Sequence, residues 1–440
     1  EALRPQAPVL SPAGGEFSEY IDLTMEGDGR IYYSVNDEYP GTEGNVYSEP
    51  LHLSGGSTHM RAILVDEHGL VSPLAEADYM IVGVVEPVTF ESAELERFVR
   101  DQLYIARTEQ VMTDDLWQIT ELTVPEDVTV YSDLRWFTEL KSLTLQNRTE
   151  LSDDFLPALK KLETLDLSGC LVSAELMEQI GGLTALQSLN LNECGLSNIS
   201  ALGNLTELTS LDLSNNSISD LSALRGCQKL SVLLVASNAL VDLNALSGMT
   251  TLTELDISGN RVTSLEPLAA CTGMLTLRAN SNGLSAIGVL QNMPELQIFQ
   301  ASNNSISDVS PLNSCTQLVR LNLKNNQVTT ADFLSLMPLL THVDISHNSI
   351  SALPQLPENA ALQKLYASYN QLTDLTVLSN LASLNYVDVD YNPELTDLSC
   401  LASCYMLVQV NAFGTKVTDV SALTAMNVIV NYDPTSVSAG

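Results

Sequence analysis

Apolar and polar residues follow one sequence motif, which we call the phrase, along most of the chain. The phrase recurs at a nearly constant interval. Apolar residues stand at positions 1, 4 and 6 of a nine-residue stretch, and position 9 is usually Asn. One copy has Leu208, Leu211, Leu213 and Asn216 in these places. The first positions are residues 119, 140, 162, 186, 208, 230, 252, 274, 296, 318, 340, 362, 384 and 407. Fourteen copies, with nine successive steps of 22 residues between 186 and 384, predict a repeat architecture.

Each position of the phrase predicts a place in the repeat. Apolar residues two apart alternate as in a short strand, so positions 4 and 6 face inward and the residues between them face solvent. A later apolar trio, such as Ile218, Leu221 and Leu224, has the spacing of a short 3₁₀ turn. The Asn at position 9 stands where the chain bends, and its amide can satisfy backbone groups there. Nine successive repeats keep it, at Asn216, Asn238, Asn260, Asn282, Asn304, Asn326, Asn348, Asn370 and Asn392.

The phrase is that of leucine-rich repeats, and it predicts an α/β solenoid over residues 119–432. One repeat cannot bury a core alone, so neighbouring repeats must stack on each other. Their strands should form a concave parallel sheet, with short helical turns on the convex side. At a strand spacing of ~4.8 Å, fourteen repeats give a sheet on the order of 65 Å long. Met426–Tyr432 is expected to add a last partial strand, and residues 433–440 to form a flexible tail.

The segment before the solenoid, residues 86–118, has the pattern of a helical cap. Leu95, Phe98, Val99 and Leu103 share one helical stripe, and Thr113 is expected to be the N-cap of a second, short helix. This cap, together with the phrase seen at Ile218–Leu224 and Ile306–Leu312, resembles the internalin-like leucine-rich-repeat proteins of bacteria. The resemblance implies a secreted or surface-displayed protein that binds a partner.

Residues 1–85 lack the repeat and predict a small antiparallel β-sandwich, because strand-like stretches alternate with glycine-containing turns. The stretches Ser11–Gly15, Ile31–Ser34 and Thr58–Val65 resemble the chitobiase C-terminal-like, fibronectin-III-associated domain. Members of that family often carry Asp-Gly-Ser where this chain has Asn36–Glu38. The family supplies accessory modules of bacterial surface proteins, so both a passive spacer and a sugar-binding module are open interpretations.

The charge of the chain excludes some classes of partner. Its 54 acidic and 19 basic residues give a net charge of −35, which would repel nucleic acid and anionic lipid. No apolar run approaches the ~18 residues of a membrane span. We therefore expect neither nucleic-acid binding nor direct membrane insertion, and we expect a monomer.

The seven cysteines are expected to be buried structural thiols. Cys170 and Cys194 occupy position 9, where Cys is a known substitute for Asn in these repeats. Cys227, Cys271, Cys315 and Cys404 each lie three residues before a first position, in the convex core. The odd number argues against a complete set of disulfides. Only Cys170 and Cys194 lie on adjacent repeats at a spacing that would permit a bridge.

Candidate metal and catalytic sites are incomplete. Asp388, Asp390 and Asn392 begin like a calcium loop, but Pro393 and Ser399 replace the Gly and Glu that such a loop requires. His342, Asp344 and His347 lie close together, but Arg320 and Lys364 on the adjacent strands would oppose a cation. No catalytic motif is present. We therefore expect no enzymatic activity, no cofactor and no bound metal.

The outward positions of the late strands provide the candidate binding site. Early strands carry small polar groups such as Ser142, Thr164, Ser188 and Ser210. The late strands differ: of the four basic residues that follow residue 317, out of 19 in the chain, three face outward on these strands. Tyr and Arg are enriched among residues that dominate binding energies. The candidate residues are Arg320, Lys324, His342, Asp344, His347, Lys364, Tyr366, Tyr369, Tyr386, Asp388, Tyr391 and Phe413.

These features predict a protein-binding scaffold that holds an unidentified protein ligand on its concave face. The basic and aromatic residues of the late strands should attract an acidic group of that partner. Two alternatives remain from the sequence: an intracellular regulatory protein, since phosphatase regulators use similar 22-residue repeats, and attachment to a glycan through the N-terminal domain.

Overall fold

The computed structural model describes residues 4–434, apart from residues 19, 36–38, 43, 54–55, 82–84, 150, 152–154, 358–359 and 380. Asn36–Glu38 and most of the predicted tail at 433–440 therefore lie outside the described residues. The chain folds as two units, residues 1–118 and residues 119–440. In the described part of both units, no helix is long and apolar enough to span a lipid bilayer.

The first unit contains two small β-sheets. A three-stranded sheet has the order β1-β3-β6 and a five-stranded sheet the order β2-β8-β7-β4-β5. Leu23 and Met25 of one sheet pack with Met60, Leu64 and Tyr79 of the other in one buried cluster, so the unit is a β-sandwich. The strands are β1 Val9–Ser11, β2 Gly15–Phe17, β3 Ile21–Glu26, β4 Arg30–Val35, β5 Asn45–Val46, β6 Leu51–Leu53, β7 Gly56–Val65 and β8 Ala75–Ile81.

Two helices complete the first unit. Helix α1, Ala93–Leu103, begins at Ser92, whose hydroxyl accepts from the Leu95 N–H at 3.1 Å. Helix α2, Thr113–Leu116, begins one residue earlier than predicted. Its N-cap is Met112, whose N–H donates to the Asp115 carboxylate at 2.8 Å. The prediction that Thr113 caps this helix was wrong, because the Thr113 hydroxyl instead accepts from the backbone N–H of Glu86 at 3.1 Å.

The second unit is a leucine-rich-repeat solenoid built on one parallel sheet of 15 strands, in which each strand pairs with the next one along the chain. Position 3 of each repeat pairs with position 3 of the next, as Ser210 does with Val232. The strands are β9 Glu121–Thr123, β10 Ser142–Thr144, β11 Thr164–Asp166, β12 Ser188–Asn190, β13 Ser210–Asp212, β14 Val232–Leu234, β15 Glu254–Asp256, β16 Thr276–Arg278, β17 Ile298–Gln300, β18 Arg320–Asn322, β19 His342–Asp344, β20 Lys364–Tyr366, β21 Tyr386–Asp388, β22 Gln409–Ala412 and β23 Ile429–Tyr432. The fourteen predicted repeat strands and the last partial strand are confirmed.

Short 3₁₀ helices return the chain between most strands, as the apolar trio predicts. They span Ser132–Trp136, Leu156–Ala158, Ser200–Asn204, Ser222–Gly226, Asn244–Leu246, Glu266–Ala270, Gly288–Asn292, Ser310–Ser314, Asp332–Leu336, Thr376–Leu378 and Ser399–Ser403. Two connections contain α-helices that the pattern did not predict, α3 Ala174–Gly181 and α4 Ser421–Thr424. Helix α3 lies in a 24-residue repeat, and the two extra residues provide room for its turns.

The Asn residues at position 9 form a hydrogen-bonded ladder through the solenoid. The Asn370 amide donates to the carbonyls of Ile345, Ala367 and Ser368 at 2.9, 3.2 and 3.2 Å, and its oxygen accepts from the Ile350 N–H at 2.9 Å. Each such side chain thus joins its own bend to the preceding repeat. The predicted role of these Asn residues is confirmed.

The cysteines at position 9 replace Asn as donors in the same ladder. The Cys170 thiol donates to the Leu145 carbonyl at 3.0 Å, and the Cys194 thiol donates to the Leu167 carbonyl at 3.1 Å. Burial raises the pKa of Cys194 to about 12 and the pKa values of Cys271 and Cys315 to about 11. All seven cysteines are free thiols, and the bridge between Cys170 and Cys194 that the spacing would permit is not formed.

Candidate functional site

The outward side chains of strands β18 to β21 form two rows across the sheet. Position 3 places Arg320, His342, Lys364 and Tyr386 on adjacent strands, and position 5 places Asn322, Asp344, Tyr366 and Asp388 beside them. Neighbours within a row are ~4.8 Å apart, and the two rows are ~6.8 Å apart along the strands. We call them the position-3 row and the position-5 row. One is mainly basic, and the other carries two carboxylates on either side of a tyrosine.

The basic part of the position-3 row holds a histidine between two cations. Partial burial lowers the pKa of His342, and the positive charges of Arg320 and Lys364 lower it further. His342 is therefore neutral at neutral pH, when Arg320 and Lys364 carry the charge of the row. These same cations oppose metal binding at His342. No group of three or more metal-ligating side chains occurs in the part of the chain that the structure describes.

Tyr366 and Tyr386 form a close aromatic pair between the two rows. Their ring centroids are 5.1 Å apart and their planes are inclined by 42°, which is within the reach of diagonal neighbours on adjacent strands. The Asn411 amide donates to the Tyr386 hydroxyl at 2.8 Å and fixes that ring on the face. Burial raises the pKa of Tyr386, and the negative charge of Asp388 contributes to the rise. Tyr386 therefore stays protonated, and its ring is held in place.

A second aromatic group lies where the same strands end. His347, Tyr369 and Tyr391 occupy position 8 of three successive repeats, with left-handed φ values of 55°, 53° and 53°. Ring centroids are 4.1 Å apart between His347 and Tyr369 and 4.3 Å apart between Tyr369 and Tyr391, with nearly parallel planes. We call these three rings the aromatic stack. The sequence indicated these three residues but not that their rings stack. Their shared position 8 in successive repeats could have predicted the stacking.

The aromatic stack ends on a glycine. Gly414 occupies position 8 of the next repeat with φ 65°, and a Cβ at this residue would lie 2.8 Å from the Tyr391 ring. Only glycine adopts this backbone conformation readily and also leaves room for the ring. The last ring therefore lies against backbone, and the inner rings lie against each other.

The carboxylates of this face are held by the backbone. Asp344 accepts from the Ser346 N–H at 3.0 Å, and Asp388 accepts from the Asp390 N–H at 3.1 Å, each through one oxygen. Asp390, which the sequence indicated only as part of an incomplete calcium loop, accepts from the Phe413 N–H at 2.7 Å. Asn392, the last member of that motif, is fully buried in the Asn ladder.

Two of these carboxyl groups have perturbed titration. Burial raises the pKa of Asp388, and the charge of Asp344 raises it further, whereas Lys324 and His347 act in the opposite direction. Burial also raises the pKa of Asp390, with contributions from Asp388 and Asp433. The negative charges of Asp388 and Asp390 are therefore only partly offset by nearby positive charges and hydrogen bonds.

Position 7 supplies residues that the sequence pattern did not indicate. Ser346 and Ser368 lie between the position-5 row and the aromatic stack, and they are only 3% and 8% exposed although they are on the outward face. Lys324 holds position 7 of the repeat before them, and Phe413, which is 41% exposed, holds position 7 just after strand β22. Burial of a small polar residue on an exposed face could be seen only once its large neighbours were placed.

Replacing Asp388 by Asn is expected to stabilise the fold at neutral pH, by on the order of 1 °C in melting temperature. The pKa of folded Asp388 lies above its ordinary value of 3.8, so folding disfavours the charged form. The gain should therefore be present at neutral pH and should vanish as the pH falls below 3.8, where the carboxyl is protonated in both states. Asn keeps an oxygen that can accept from the Asp390 N–H.

The matched control for this prediction is Asp212→Asn. Asp212 also occupies position 5 and accepts from the N–H two residues later, at 2.8 Å, so its replacement removes the same charge from the same kind of turn. Thermal unfolding followed by circular dichroism would compare the two variants. An equal gain in both would mean that the net charge of −35, rather than the local burial of Asp388, causes the effect.

Comparison with known proteins agrees with this architecture. The models described as Leucine Rich repeats (2 copies) and Leucine Rich repeat match residues 184–226, 294–336 and 361–403, and residues 248–265. An internalin (inlF) of Listeria monocytogenes is similar, with 28% identity, a TM-score of 0.66, and coverage of 78% of this chain and 95% of the internalin. No curated protein sequence matches the chain.

Two more distant structures share the fold. A leucine-rich-repeat protein of Leptospira interrogans has 19% identity, a TM-score of 0.57, and coverage of 73% of this chain and 97% of its own. The ectodomain of the Arabidopsis thaliana receptor kinase GASSHO1/SCHENGEN3, in complex with CASPARIAN STRIP INTEGRITY FACTOR 2, has 18% identity and a TM-score of 0.53, and covers 71% of this chain and 43% of its own. The chain therefore carries leucine-rich repeats in a solenoid, and its structural neighbours include the internalins.

Proposed function

We propose that the chain is a non-catalytic scaffold that binds a protein partner on the outward face of strands β18 to β22. The observation that carries this proposal is the Tyr366–Tyr386 pair, 5.1 Å between centroids, beside Lys364 and two strands from Arg320 on the same outward face. Aromatic anchors flanked by charges are the groups that dominate binding energies. The early strands, with small polar residues such as Ser188 and Ser210, offer no such anchors.

The fold supports a protein ligand more than a glycan on this face. A sugar ring stacks on a free aromatic face, whereas His347, Tyr369 and Tyr391 turn their faces towards each other. The plant receptor ectodomain with the same fold is in complex with a factor named CASPARIAN STRIP INTEGRITY FACTOR 2. By analogy we propose a peptide or protein segment as the ligand, with an acidic group placed over Arg320 and Lys364.

We further propose that the protein is secreted or displayed on a bacterial surface. The support is its 28% identity to an internalin over 78% of this chain. A signal peptide encoded upstream would agree with this location, and an open reading frame without one would contradict it.

The proposal is tested by capturing partners on two immobilised double variants of the full chain. Tyr366→Ala/Tyr386→Ala should lose a specific partner from host-cell or cell-wall extracts. Ser188→Ala/Ser210→Ala should retain it, because those residues are small polar groups on the early strands β12 and β13, away from the proposed site. Retention by both variants, compared by mass spectrometry with the unchanged chain, would place the partner elsewhere.

A further inference from the structure

Beside the aromatic pair, small outward residues of neighbouring repeats lie between two rows of larger ones, and we call this strip the trough. Its floor is position 7, which holds Ser346 and Ser368 and then, in the next repeat, Asp390. One side is the aromatic stack, and the other is the position-5 row with Asp344, Tyr366 and Asp388. The trough therefore combines rings, carboxylates and hydroxyls within three repeats.

The two hydroxyls on the floor have no hydrogen-bond partner in the part of the chain that the structure describes. Ser346 and Ser368 are 97% and 92% buried, as follows from exposures of 3% and 8%. Neither Oγ is among the fully enclosed polar atoms that lack a hydrogen-bond partner, so each hydroxyl keeps some accessible surface although the residue as a whole is buried. Two accessible hydroxyls on adjacent repeats can each donate to or accept from a ligand that lies on this face.

The carboxylates identify the charge of that ligand. Asp344 and Asp388 each bind a backbone N–H through one oxygen, and among the described residues their other oxygens form no hydrogen bond or ion pair. Between them lies Tyr366, with Tyr386 inclined at 42° to it. Two carboxylates beside a pair of tilted aromatic rings suit an ammonium or guanidinium group, which gains both ion pairing and cation–π attraction.

Other charged groups near the trough do not remove this preference. Lys324 and His347 lie close enough to Asp388 to lower its pKa, whereas the charge of Asp344 raises it. The position-3 row, which carries Arg320 and Lys364, lies on the far side of Tyr366. The wider field of a chain with net charge −35 also attracts a cation.

We propose that the trough binds a lysine or arginine side chain of an extended partner segment, held by Asp344 and Asp388 over the Tyr366 ring with Ser346 and Ser368 beneath it. The inference rests on the proposed function and deepens it. The same segment would place an acidic group over the position-3 row, so the partner carries charges of both signs at a spacing of ~7 Å.

The test uses a defined probe, the peptide acetyl-Gly-Arg-Gly-Arg-Gly-amide, titrated into the full chain by calorimetry. We expect Asp388→Asn and Tyr366→Ala each to weaken its binding by about 5- to 10-fold. Ser368→Ala should weaken it by about 2- to 3-fold, because the variant loses one hydroxyl. The matched control is Asp212→Asn, which removes one carboxylate from position 5 where no tyrosine pair is present, and it should change the affinity by less than about 2-fold.

Two results would overturn the inference. Equal weakening by Asp388→Asn and Asp212→Asn would show that only net charge attracts the peptide. Equal or tighter binding of the peptide with Glu in place of Arg would show that the trough does not select a cation. If either occurs while capture of a partner still depends on Tyr366 and Tyr386, the cation site is wrong and the proposed function stands.

Discussion

Replacement of Asn392 by Ala is expected to lower the free energy of unfolding by about 3 kcal/mol. Asn392 is fully buried, and its amide donates to the Ala367 and Val389 carbonyls at 3.0 and 2.9 Å. Its oxygen accepts from the Leu372 N–H at 2.8 Å. Ala would leave the Leu372 N–H and the Ala367 carbonyl buried without partners, and each such group is unfavourable by ~1–3 kcal/mol.

The control for this substitution is Asn313→Ala. Asn313 lies exposed in the 3₁₀ helix Ser310–Ser314, and its replacement should change stability by less than ~0.5 kcal/mol. Urea unfolding followed by circular dichroism measures both variants, with the midpoint and slope compared to those of the unchanged chain. A loss below ~1 kcal/mol for Asn392→Ala would show that water enters the bend and replaces the amide.

The second large effect is expected in binding. Once the captured partner is identified, Tyr366→Ala and Tyr386→Ala should each weaken its affinity by about 2 kcal/mol, roughly 30-fold. Each replacement removes one ring of the pair that is 5.1 Å between centroids, and Tyr386→Ala also removes the hydrogen bond from Asn411. Both rings are on the outward face rather than in the repeat core, so melting temperatures should change little.

Ser188→Ala and Ser210→Ala serve as controls, since both residues hold position 3 on the early strands β12 and β13. They should leave the affinity unchanged within about 2-fold. Surface plasmon resonance with the purified partner would give all four dissociation constants. Small and similar losses at both ends of the sheet would mean that the late aromatic residues are an unselected surface feature, and the proposed site would be abandoned.

For the aromatic stack, the repeat pattern indicates which residues take part but not how their rings are arranged. His347, Tyr369 and Tyr391 stand out in the sequence because they interrupt a series of small polar residues. Their stacking depends on the left-handed backbone at position 8, which aligns equivalent side chains one strand apart. Sequence spacing indicates which residues share a position, but ring separations of about 4 Å are set by how neighbouring repeats twist and pack.

The sequence by itself determined the repeat interval, the parallel strands and the Asn ladder. With a 22-residue period, each apolar or amide side chain occupies the same position in every repeat. The tertiary structure decided the rest. Thr113 does not cap helix α2 as predicted, because its hydroxyl accepts a hydrogen bond from the backbone N–H of Glu86, 27 residues away in sequence. Likewise, Ser346 and Ser368 are buried by contacts made within the stacked repeats. These contacts join residues distant in sequence, so local pattern cannot specify them and only the stacked solenoid brings them together.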